Sequence, residues 1–87
     1  MRKIYLQLLK VFLCKEFRRA QKEKGLTQAE MAEILEIDIR TYSNISRGKS
    51  ICSTLTFVLF LLYCCDDPMK LLEDFREVLD KAKEGVA

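Results

Sequence analysis

Apolar and polar residues repeat along most of this chain with the period of an α-helix. The first such stretch begins around Ile4 to Cys14, where an apolar run is broken only by Gln7 and Lys10. The pattern predicts a first helix from about Lys3 to Lys24. It should stop at Gly25, a residue that accepts the left-handed conformation of a helix C-terminus without a Cβ clash. Thr27-Gln28-Ala29-Glu30 then reads as a capping box, with Leu26 and Met31 placed to form a hydrophobic staple across it. Met31, Ala32 and Leu35 make one apolar face, so a second helix should end near Leu35 or Glu36. Asp38 is the next cap, again flanked by a staple pair, Ile37 and Tyr42. A short third helix from Ile39 to Ser46 turns Tyr42 and Ile45 inward. Its other face carries Arg40, Ser43, Asn44 and Arg47 at spacing i, i+3, i+4, i+7, and Gly48 ends it. Ser53 or Thr54 caps a fourth helix, Leu55 to about Cys64. Asp67-Pro68 opens a fifth, since proline is favoured at the first helical position and aspartate caps it. Leu71, Leu72, Phe75, Val78, Leu79 and Ala82 give this last helix its apolar stripe, with Gly85 expected at its end. The fold class is therefore all-α, with nothing that reads as a strand.

Two short, separately capped helices a few residues apart form a unit that can serve DNA. Each has an inward apolar face, and the second presents a polar face with two arginines. The major groove is wide enough for one helix, so such a pair can place its second helix there. The first helix of the pair would cross the backbone, its N-terminal amides meeting a phosphate.

The same residues carry a resemblance. Leu26-Thr27-Gln28-Ala29-Glu30-Met31-Ala32, then Arg40-Thr41-Tyr42-Ser43-Asn44 and Arg47-Gly48-Lys49, resemble the phage-repressor helix-turn-helix family, also called XRE-type or Cro-like. The likeness spans roughly Phe17 to Leu72. It implies a compact, lambda-repressor-like bundle of about five helices, and a homodimer on a two-fold symmetric operator. Carried over by position, phosphate contacts fall on Thr27, Gln28, Arg47 and Lys49. Base-reading positions fall on Ile39, Arg40, Ser43 and Asn44. Arginine can pair with guanine and asparagine with adenine in bidentate fashion, whereas Ile39 can only touch a thymine methyl.

Three features depart from the family pattern. Glu36 stands where a turn glycine is usual, which implies strain if its φ is positive. Gln21 and Ser46 occupy the places of a buried arginine–glutamate pair. Both charges are absent together, so the two neutral side chains are expected to lie close and bond to each other or to nearby backbone. Finally, the fourth helix is apolar on every side. Phe57 to Leu62 form an unbroken apolar row that a domain this small can hardly cover. A dimer interface of the N-terminal segment, the fourth helix and the fifth is therefore expected, including Phe57, Phe60, Leu61, Leu72, Phe75 and Leu79.

Composition narrows the rest. The 87 residues suit a single domain, with residues 1–13 as an N-terminal helical extension and 66–85 as a C-terminal helix that could serve dimerisation. No second, ligand-sensing domain is expected. The net charge of +2 hides a split. Residues 1–50 carry eleven Lys or Arg against six Asp or Glu, and residues 51–87 four against seven. A basic first half fits a polyanionic partner. The apolar runs fall well short of the ~20 residues that cross a bilayer, so no membrane role is expected. There is no histidine, and Cys14, Cys52, Cys64 and Cys65 lack metal-site spacing. They read as small buried hydrophobes in a reducing cytoplasm. Neither an enzyme nor a cofactor is expected. The reading is a small dimeric transcriptional regulator, a repressor, on double-stranded DNA. The alternative is a protein-interaction module on the same fold, such as the antitoxin of a toxin pair.

Overall fold

The structure, a computed structural model, describes residues 2–86. It is built from five helices: α1 (Arg2–Lys24), α2 (Gln28–Ile34), α3 (Ile39–Ser46), α4 (Thr54–Tyr63) and α5 (Pro68–Val86). No strand occurs among the described residues. The N-terminal caps lie where the short polar side chains demand them. Thr27 Oγ1 accepts from the Glu30 amide at 3.1 Å, and Glu30 Oε1 accepts from the Thr27 amide at 2.9 Å. Asp38 accepts from the Thr41 amide at 2.7 Å. Ser53, rather than Thr54, caps α4, and Asp67 accepts from the Lys70 amide at 3.1 Å. Each cap satisfies an amide that a helix start would otherwise leave unpaired.

The first three helices end in one way. Leu26 donates to the Gln21 carbonyl and Gly25 to that of Lys22, with Gly25 at φ 65°. Ile37 donates to Ala32 and Glu36 to Glu33, with Glu36 at φ 55°. Lys49 donates to Asn44 and Gly48 to Ile45, with Gly48 at φ 76°. This pair of bonds satisfies otherwise orphaned carbonyls and requires one residue in the left-handed region. Glycine takes that conformation freely, but Glu36 does not. Glu36→Gly is therefore expected to raise stability by about 1 kcal/mol. A denaturant titration checks it, and a variant no more stable than the parent would mean the turn is unstrained.

The core sits where α1 crosses α3 and α4. Phe17 stacks on Phe60 of α4, with ring centroids 4.2 Å apart, and faces Tyr42 of α3 at 6.2 Å. Leu13, Ala20, Met31, Ala32, Leu35, Ile45, Cys64 and Leu71 close around these rings. The upstream half of α1 extends past this body and lies along α5, where Phe12 meets Phe75 at 5.1 Å. A helix of this length spans about 34 Å, which accounts for a molecule 42 Å long and only 24 × 20 Å across. No helix of the described residues is long and apolar enough to cross a membrane.

The structure revises three expectations. Gly85 does not end α5, because the helix continues to Val86 and Gly85 has open space around it. Phe60 is not at a surface. It is 1% exposed against Phe17 and cannot line an interface. Phe57, Leu61, Phe75 and Leu79 are half-buried and Leu72 is exposed, with Phe75 in contact with Phe12. Gln21 and Ser46 do not bond to each other. Gln21 Oε1 instead accepts from the Tyr42 hydroxyl at 2.8 Å, while Ser46 Oγ donates to the Ser43 carbonyl at 3.1 Å. Ser46 thus finds nearby backbone as expected, but Gln21 anchors the buried tyrosine of α3.

Candidate nucleic-acid interface

α3 is held by one face and free on the other. Tyr42 is fully buried and Ile45 nearly so, which fixes the rotation of the helix. That rotation leaves Ile39 and Arg40 exposed and Ser43 and Asn44 half-buried on the outer side. Ile39 is 53% exposed and is not among the residues packed against the core. Asp38 is committed to its cap. The Thr41 amide holds its carboxyl below the usual carboxylate range.

The segment after α3 adds two further cations. The Asn44 carbonyl receives the amides of both Lys49 and Ser50, at 2.9 and 3.4 Å, so the loop folds back on the end of the helix. Cys14 of α1 packs under it and donates its thiol to the Ser46 carbonyl at 2.9 Å. Arg47 and Lys49 remain exposed at the rim. At the start of α2, Thr27 and Gln28 are exposed as well. The Glu30 carboxylate takes the Thr27 amide, and that bond, followed by the one from the Thr27 hydroxyl, lowers its pKa. It therefore places negative charge beside Thr27. Gln28, whose side chain has no partner among the described residues, is the freer donor of the two for an anion.

Charge distribution sets this side apart. Of the eleven cations before residue 50, Arg19 pairs with Glu16 and Glu23, and Lys24 with Asp66. Among the described residues the other nine have no carboxylate partner, and these include Arg40, Arg47 and Lys49. The arrangement is a helix with a mixed polar and apolar outer face, bordered by unneutralised cations. Such a surface can donate hydrogen bonds and attract an anionic polymer. It holds no nucleophile paired with a base.

Apart from Cys14 beneath the loop after α3, the cysteines lie away from this face, and all four are unpaired. Cys14 and Cys64 are buried, and Cys52 and Cys65 are half-buried. Burial pushes the thiols of Cys52, Cys64 and Cys65 up, away from the reactive thiolate. Burial, with a smaller contribution from Cys64, also raises the Tyr42 hydroxyl to about 12, so it stays a donor to Gln21 across the ordinary pH range.

Sequence reasoning missed the anchoring role of Gln21 and the central place of Phe17. Gln21 is polar and falls four residues after Phe17 on the same helix face. That spacing was the available signal. No protein-family model matches the chain, and neither the curated proteins nor the solved structures include a match to it.

Proposed function

We propose that this chain is a sequence-specific binder of double-stranded DNA, with α2 and α3 acting as a helix-turn-helix of the phage-repressor kind. Its role would be that of a small cytoplasmic transcriptional regulator acting as a homodimer. The observation that supports this best is the outer face of α3. Ile39, Arg40, Ser43 and Asn44 stand clear of the core there, beside Arg47 and Lys49, which have no carboxylate partner among the described residues. Arg40 and Asn44 supply bidentate chemistry for guanine and adenine, and Ile39 an apolar contact for a thymine methyl. Gln28, Arg47 and Lys49 supply the sequence-independent contacts to phosphate that set position and register.

Selection from random duplexes tests this reading. A preferred site should emerge. On that site Arg40→Ala should cost about 1–3 kcal/mol and relax preference at one base pair. Lys49→Ala should weaken binding to all sequences alike and lower the log–log salt slope by about one. Failure to enrich any sequence would sink the proposal. An equal loss on every sequence for Arg40→Ala would move that residue from base reading to phosphate contact.

The second reading, a protein-interaction module such as an antitoxin, draws on a different observation. Leu55 and Leu62 of α4 are each 66% exposed. A second copy of the chain would cover the same residues, so this feature does not compete with DNA binding on α3.

A further inference from the structure

On the reading that α3 and its following loop meet DNA, the geometry points to a second phosphate-binding element, the N-terminal arm of α1. The arm would carry Lys3 and Lys10 onto the duplex flanking the recognition site. The inference starts from one line of side chains. Lys3, Lys10, Cys14, Phe17 and Gln21 are spaced at seven, four, three and four residues, so they lie along a single face of α1. The last three fix where that face points. Cys14 bonds to the Ser46 carbonyl, Phe17 faces Tyr42, and Gln21 accepts from the Tyr42 hydroxyl. This is the side on which α1 carries α3.

Cys14 marks the point where α3 ends. Its sulfur lies 3.7 Å from where a side chain on Gly48 would begin. Upstream of it α1 continues as helix, and the face opens progressively, with Lys10 half-buried and Lys3 exposed. There the line changes character, from a thiol and an aromatic ring to Lys10 and then Lys3. From Cys14 to Lys3 the helix advances about 16 Å, roughly five base-pair steps of DNA. The cationic rim formed by Arg47 and Lys49 is thus prolonged along the arm.

The local charge agrees with this. No acidic residue precedes Glu16, whereas Arg2, Lys3, Lys10 and Lys15 all do. Neither Lys3 nor Lys10 has a carboxylate partner among the described residues. The acidic residues of α5 are not placed to supply one. α5 meets the arm on another side, through Phe12 against Phe75 and with Leu8, Val11 and Lys15 near Val78. The first turn of a helix disfavours positive charge, so the place of Lys3 in α1 does not itself account for it. A polyanion running past the end of α3 gives the two lysines a partner.

The test compares the parent with Lys3→Gln/Lys10→Gln on duplexes that carry the selected site, with flanks lengthened in steps of about five base pairs. The parent should gain affinity as the flanks first lengthen, and the double variant should not. The log–log salt slope should fall by about two per protomer in the double variant, and by about one in Lys3→Gln alone. Lys3 is exposed, so the single variant keeps the test valid if the change at Lys10 disturbs folding. The ranking of preferred sequences should not change. Lys15→Gln, on the α5 side of the same helix, should leave the slope as it was. An unchanged slope in both lysine variants, with the parent still binding DNA steeply, would overturn the arm contact alone. An equal drop in Lys15→Gln would show a general charge effect and would also overturn it. A parent that binds no duplex at low salt would overturn the DNA reading and this inference together.

Discussion

Phe17→Ala is expected to cost about 3–5 kcal/mol, the range for deleting a buried aromatic ring. Phe17 is 0% exposed and lies between Phe60 and Tyr42, so its ring is the contact that joins α1, α3 and α4. Its removal leaves a cavity bounded by rings held on three different helices, which cannot all collapse inward. A domain of this size has on the order of 5–15 kcal/mol in total. The variant should therefore lose much of its margin, with a midpoint lower by about 15–30 °C. Phe17→Leu, which keeps most of the volume, should cost less than half as much. Thermal melts followed by circular dichroism measure both. A loss below about 1 kcal/mol for Phe17→Ala would show that the site repacks and that the three-helix junction does not depend on the ring. The same loss should reach the outer face of α3, because Tyr42, whose burial fixes that helix's rotation, packs against Phe17 and bonds to Gln21.

The starts of the helices could be read from the chain because caps are local. Thr27 with Glu30, Asp38, and Asp67 before Pro68 each act within three residues, so neither burial nor topology is needed to recognise them. The stops at Gly25 and Gly48 are readable for the same reason, whereas the left-handed conformation of Glu36 is an implication of the family resemblance, which places a glycine at that turn. What depends on the phase of one helix against another was not readable. α4 is apolar all round, so its pattern carries no direction. Only the structure shows that Thr56, Phe60 and Cys64 turn inward while Leu55, Val58 and Leu62 turn out. For that reason the sequence alone points Phe60 toward an interface, although it belongs to the core. α1 posed the opposite problem. Lys3 precedes an apolar run that Lys10 interrupts, and their common side acquires meaning only once Cys14 and Gln21 are seen to bond toward α3. Gly85 misled because a glycine ends a helix only when the backbone turns left-handed there, and at this position it does not.

Charging the outer row of α4 is expected to have the larger effect on DNA binding, while leaving the fold nearly untouched. Leu55, Val58 and Leu62 lie one and two turns apart and are 66%, 42% and 66% exposed. Leu72 of α5, 43% exposed, remains open from the interface expected on sequence grounds, and Met69 beside it is 65% exposed. Exposed apolar rows of this kind mark contact surfaces, and a two-fold axis through this one makes the contact self-complementary. A homodimer so formed could present two copies of α3 to half-sites one helical turn apart, about 34 Å. Val58→Glu/Leu62→Glu should then abolish the dimer, since burying four like charges across a two-fold axis is strongly unfavourable. The protomer should melt within about 0.5 kcal/mol of the parent under dilute conditions, as surface changes usually do. Affinity for a single half-site should be unchanged. Affinity for the full, near-palindromic site should fall by about 100-fold or more, the loss expected when two linked binding events become independent. Sedimentation at micromolar concentration, paired with titrations on half and full sites, gives the result directly. A parent that sediments as a monomer, or a double variant that holds the full site as tightly as the parent, would mean that α4 faces something other than a second copy of this chain.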